Sequence, residues 1–84
     1  MKHVYLLQSC VFPRKRYIGI TTNLEDRLIA HNAGQSVYTA RFRPWKVVVV
    51  IRFEDDARAE EFERYLKSGS GNAFAHKRLW DTIR

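Results

Sequence analysis

Five side chains in this sequence are of types that move protons or hold phosphate. Tyr5 and Tyr17 lie in two short apolar runs joined by a basic connection. A hairpin between the runs brings both phenols to one end of a sheet. Buried tyrosine is ordinarily core with a hydrogen-bonded hydroxyl, but beside cations or a metal ion it can also relay a proton. Arg27 and His31 stand one helical turn apart, on the edge of a stripe anchored by Leu24 and Leu28. Such a pair is either a clamp for phosphate oxygens or a snorkelling arginine beside a packed histidine. Glu63 lies at the rim of the stripe made by Ala59, Phe62 and Leu66, whereas Glu60 and Glu61 point away from it. A carboxylate at the rim of an apolar face is costly unless it meets a cation, a metal or a proton. It either pairs with Arg64 or Lys67, or it faces a site. Two tyrosines, an Arg–His pair and one inward acid together are the parts of metal-assisted phosphodiester hydrolysis.

These side chains need elements to position them. Residues 3–9 (HVYLLQS) and 16–20 (RYIGI) read as two strands of a hairpin connected through Pro13 and the cluster Arg14-Lys15-Arg16. Residues 21–34 (TTNLEDRLIAHNAG) read as a helix, with Thr22 and Glu25 as a capping box, Glu25 and Asp26 in the first turn, and Gly34 as its stop. A polar loop carries Tyr38, Thr39 and Arg41 to the apolar run 45–53 (WKVVVVIRF), whose uninterrupted valines predict a strand buried on both faces. Residues 55–67 predict a second helix, SGSG a break, and 72–82 a third helix. The stretch Lys67-Ser68-Gly69-Ser70-Gly71 lacks the spacing of a Walker loop and follows a helix, so it reads as a cap and restart. Phe74, Leu79 and Trp80 either cover the core or form a dimer patch. The order β-β-α-β-α-α predicts an α+β fold, a small and mainly antiparallel three-stranded sheet flanked by helices.

Eighty-four residues suffice for one domain, 1–84. The net charge of +6 is uneven: residues 1–52 carry nine Lys/Arg against two acids, and residues 53–84 carry six against seven. A basic first part beside an acidic second part suits a polyanion-binding face next to a carboxylate site, although plain solubility explains the charge equally well. Cys10 is the only cysteine, which excludes an internal disulfide and a cysteine-bound zinc and fits a reducing compartment. The start MKHVYLLQSCVF imitates a signal peptide, but its apolar run is short and RKR follows at once. No segment approaches the ~20 apolar residues of a membrane span. The expectation is a soluble, cytoplasmic protein.

On these residues the chain resembles the GIY-YIG endonuclease family. Val4-Tyr5-Leu6-Leu7 stands at the first half-motif, without the nominal Gly-Ile before the tyrosine, and Tyr17-Ile18-Gly19 matches the second letter for letter. Arg27 occupies the position of the family's helix arginine, His31 follows one turn later, and Glu63-x-x-Leu66-Lys67 resembles its glutamate helix. The resemblance covers nearly the whole chain and the element order. It implies that Glu63 holds one divalent cation, Mg²⁺ or Mn²⁺, that Tyr17 or Tyr5 activates a water while the other orients it, and that the metal stabilises the leaving 3′-oxygen. Arg27, assisted by His31, would stabilise the transition state. Lys15, Arg16, Tyr38, Arg41, Arg43 and Lys67 would bind backbone phosphates. The implied partner is DNA, branched or flapped, with a protein partner or a homodimer also open. A catalytically silent or partner-dependent nucleic-acid-binding module is the alternative.

Overall fold

The computed structural model describes residues 1–80. Its elements are β1 (Lys2–Ser9), β2 (Arg16–Thr21), α1 (Leu24–Asn32), α2 (Val37–Ala40), β3 (Trp45–Phe53), α3 (Asp56–Leu66) and α4 (Gly69–Arg78). This is the expected α+β arrangement with one addition: the loop expected to carry Tyr38 and Thr39 contains the single helical turn α2.

The sheet order is β2-β1-β3, antiparallel at both junctions. Residues Val4 through Ser9 of β1 are all buried, because β1 alone has a strand on each side and a helical layer on each face. The expectation that 45–53 is the doubly buried strand is therefore corrected. β3 is an edge strand, and the register step from Leu6↔Val49 to Leu7↔Val47 leaves Val48 as an extra residue that disturbs the alternation. Its Val50 is 43% exposed. A run of valines identified a strand but not its neighbours.

Helices cover both faces. Val4 and Leu6 point into a core with Ala59, Leu66 and Ala75 from α3 and α4. Tyr5 and Leu7 point the other way, into a cluster with Trp45 that also takes Leu24 and Leu28 of α1. Leu79 and Trp80 pack against the first core, which assigns them to covering it, while Phe74 is left half-exposed.

The caps explain two shifted boundaries. The Thr21 hydroxyl bonds both the N–H and the carbonyl of Asn23, and Asn23 Oδ1 then accepts from the Asp26 N–H at 3.1 Å. Asn23, and not Thr22, is thus the N-cap of α1. The helix ends as expected at Gly34 (φ +82°), where Gly34 N–H bonds the His31 carbonyl and Gln35 N–H the Ala30 carbonyl, a Schellman closure. The third predicted helix starts earlier than 72, because Ser68 caps it by accepting from Gly71 N–H. A Cβ on Gly71 would sit 1.7 Å from the Tyr65 carbonyl oxygen, so only glycine lets α4 leave α3 this closely. Asp81 and Thr82, included in that predicted helix, lie outside the described residues. Among the described residues no helix is long and apolar enough to cross a membrane.

Candidate active site

Hairpin register brings the two tyrosines together. Tyr5 pairs with Gly19 and Leu7 with Tyr17, so Tyr5 and Tyr17 are diagonal neighbours on one face, with ring centroids 6.2 Å apart. Gly19 is required by this arrangement: a Cβ there would lie 2.3 Å from Tyr5 Cζ and Oη, so the phenol ring rests where a side chain would otherwise stand. The motif glycine is a seat for the other half-motif's tyrosine.

α1 closes over the same face. His31 is 1% exposed, and its Nε2 lies 3.1 Å from the Tyr5 hydroxyl while its Nδ1 lies 2.8 Å from Thr39 Oγ1. Thr39 in turn reaches the Ser36 carbonyl at 3.5 Å, and the only proton it can offer there is its hydroxyl proton. The bonding pattern thereby assigns the His31 proton to Nδ1 and leaves Nε2 to accept from Tyr5. Trp45 Nε1–H donates to the Thr39 carbonyl at 2.7 Å, and Asn32 brackets the Trp45 backbone from the end of α1. These bonds pin α2 beneath α1. Thr39, fully buried, is the site residue that sequence reasoning passed over as loop. Four helical residues give no periodicity to read, and its contact with His31 is tertiary.

Arg27 is exposed, and it interacts electrostatically with the Tyr5 hydroxyl foremost and, more weakly, with Tyr17. The Tyr5 hydroxyl, foremost, raises the arginine above its ordinary value. Burial raises Tyr5, with Arg27 opposing as hydrogen-bond donor and positive charge. Burial, and then the charge of Arg27, lowers His31, which keeps the imidazole neutral and Nε2 free to accept.

Glu63 comes from the opposite layer. Its side chain is 15% exposed, and its ion-pair partner is Lys67, one turn on. Glu61 is exposed as expected, while Glu60 is half-exposed and holds Lys2 of β1 at 2.8 Å. Among the described residues no hydrogen bond or ion pair joins Glu63 to Tyr5, Tyr17 or Arg27. The two layers approach each other at the free edge of β2, where Lys67 and Tyr17 line one cleft and the Lys67 charge reaches Tyr5.

The remaining expected contacts divide into three groups. Tyr38 stacks with Tyr17 at 6.3 Å and donates to the Arg16 carbonyl at 3.4 Å, so Tyr38, Arg16 and Lys67 border the tyrosines. Lys15 and Arg41 both lie over the Phe42 ring, at 5.1 and 5.8 Å, and form a separate basic patch. Arg43 stands apart from both, its guanidinium packed against Gly34.

Residues 1–77 match the GIY-YIG catalytic domain. The chain belongs to the GIY-YIG endonuclease family. It is similar to the structure-specific endonuclease subunit slx1 of Aspergillus fumigatus, 37% identical over 93 aligned positions that take in 89% of this chain and 22% of that protein. The corresponding subunit of Debaryomyces hansenii is 38% identical, over 76% of this chain and 20% of its own length. A UPF0213 protein of Clostridium perfringens is 37% identical, over 86% of this chain and 76% of its own. The chain thus spans about a fifth of the fungal relatives and three quarters of the bacterial one. In this GIY-YIG domain the two half-motifs lie on the adjacent strands β1 and β2, and of the two departing residues Val4 falls on the apolar side of the sheet while His3, two positions before Tyr5, shares its face.

Proposed function

We propose that this chain is a divalent-metal-dependent DNA endonuclease domain that hydrolyses phosphodiester bonds at the open edge of β2. The observation that carries this reading is the packing of Tyr5 and Tyr17 on one face against the neutral His31 imidazole, with the Arg27 charge acting on both phenols. Tyr5 is 1% exposed and its hydroxyl is engaged by His31, which suits orienting. Tyr17 is half-buried and lines the cleft, which suits taking a proton from water. The guanidinium of Arg27 presents fixed donors to the charge that develops on the phosphate.

The donor set fits a divalent cation. Glu63 offers one hard oxygen donor, shielded from solvent and paired with Lys67, whose ammonium a bound cation would displace, and among the described residues no three His, Cys, Asp or Glu side chains gather. Mg²⁺ suits this, since it keeps several waters and takes further ligands from substrate phosphate. Bound at Glu63, the cation would supply charge neutralisation at the leaving oxygen.

A nicking assay on plasmid, flap and branched substrates with Mg²⁺ or Mn²⁺ tests the reading. Cleavage is expected with the wild-type domain and is lost in Glu63→Gln; cleavage that persists in Glu63→Gln overturns it. One observation favours a second reading, a nucleic-acid-binding module without turnover: Glu63 is held by Lys67 as a structural carboxylate would be. DNA binding with no nicking under either metal selects that reading. Because the fungal relatives are named as subunits, a protein partner or a second copy belongs to the proposal, as does the reducing cytoplasm that an exposed single Cys10 suits.

A further inference from the structure

The cleft between β2 and α4, about 340 Å³, is the one that Tyr17 lines, and beyond Tyr17 and Lys67 it holds Arg16, His76 and Trp80, to which the hydrolytic reading gives no catalytic part. Arg16 projects into it from the first residue of β2, its guanidinium 5.0 Å above the Trp80 ring centre. Arg16 Nη1 lies 3.3 Å from His76 Nδ1. Arginine only donates, so His76 Nδ1 accepts, and the imidazole steers the guanidinium from one side while the indole face fixes its plane. Arg16 Nε is buried and has no hydrogen-bond partner. An orphaned buried N–H calls for an explanation, and an absent acceptor ligand is one. Lys67, its ammonium paired with Glu63, and Asn72 line the same cleft, and among its described lining residues there is no acid. A planar fork held on an aromatic face is suited to an anion with two oxygens to share, which is phosphate geometry.

We propose that this cleft is a second phosphate subsite, taking a backbone phosphate of the DNA strand next to the one at the tyrosines, with Arg16 as its anchor. His76 and Trp80 are positioning residues that act through Arg16. Tyr17 lines both the cleft and the tyrosine cluster, so a strand crossing Tyr17 passes from one to the other. The assignment rests on DNA being the ligand, as proposed above, and not on the domain cutting it.

The test measures binding to a short duplex in EDTA over a series of salt concentrations. Removing one phosphate contact on a duplex lowers the slope of log K against log salt by about 0.9. Arg16→Ala is expected to do this and to weaken binding about tenfold. Arg16→Lys keeps the slope but loses affinity, because the charge remains and the fork does not. Trp80→Leu and His76→Ala likewise weaken binding with the slope retained. In the unaltered protein, a 5′-phosphorylated trinucleotide should move the Trp80 indole N–H resonance and leave that of Trp45, tied to Thr39 in the interior, in place. An unchanged slope in Arg16→Ala, or a Trp80 resonance that ignores the trinucleotide, overturns the subsite even if nicking persists. A slope that falls in Arg16→Ala while the wild-type domain never nicks keeps the subsite and overturns the endonuclease reading.

Discussion

The face of the sheet beneath α1 and α2 packs Leu7, Leu24 and Leu28 around two phenols, an imidazole, a threonine hydroxyl and an indole N–H. The face beneath α3 and α4 is made of Val4, Leu6, Ala59, Leu66 and Ala75. Both are fully buried at their centres, yet they are held by different physics. On the apolar face any well-fitting aliphatic group serves, because burial is non-directional. On the polar face Tyr5, His31, Thr39 and Trp45 are joined by directional bonds, and removing one member leaves a neighbour short of a bond. One strand, β1, supplies both faces by alternation. Stability and chemistry are thus separated by a single residue step, with Tyr5 between Val4 and Leu6.

That separation can be broken, and the largest effect belongs to the apolar face. Leu66→Ala should cost about 2–5 kcal/mol by urea denaturation, the range for truncating a fully buried leucine, which is a large share of the stability of so small a domain. A loss below 1 kcal/mol would mean that the α3–α4 layer is not the main source of stability. Arg27→Ala should invert the pattern: turnover falls about 10²–10³-fold, as for loss of one transition-state donor, while stability changes by no more than about 0.5 kcal/mol because the residue is exposed. Equal loss of binding and turnover would sink its transition-state role. Gly19→Ala tests the seat of Tyr5. The added methyl must displace the phenol ring, at about 1–3 kcal/mol, and nicking should fall although no proposed catalytic group has been removed.

The smallest effect is a pH dependence. Burial lowers His31 from its ordinary 6.5, so below about pH 6.5 the unfolded chain binds a proton that the folded chain resists. The unfolded state then holds more protons, and stability must rise with pH through this window. The contribution is present in full above about pH 6.5 and is lost on acidification toward the lower folded value. Urea midpoints at pH 5 and 7.5 should differ in the wild type by more than in His31→Gln. Equal differences would remove His31 as the source.

Much of this was legible because it was local. Apolar runs marked the two hairpin strands, and periodicity marked the stripe of α3 and singled out Glu63 as the least outward of the helix acids. The Arg27–His31 spacing located one face of α1, and Gly34 its end. What the chain left unreadable was relational. The valine-rich strand had the composition of an interior strand, but β1, which gained neighbours on both sides, took that place. Thr22 and Asn23 are both adequate caps, and the turn made by Thr21 chose between them. Lys67 was expected to meet DNA or to pair with Glu63, and the structure shows the pair.

Local pattern alone therefore determined the types of the elements other than α2, the identity of the two aromatic half-motifs and the basic bias of the first part of the chain, because these depend on neighbours within a turn or a hairpin. Only tertiary structure decided that Thr39 stands behind His31, that Tyr5 lies on Gly19, and that Glu63 arrives from the opposite layer. Each of those is a contact between elements, set by how helices and strands close a shared core, and no spacing along the chain encodes it.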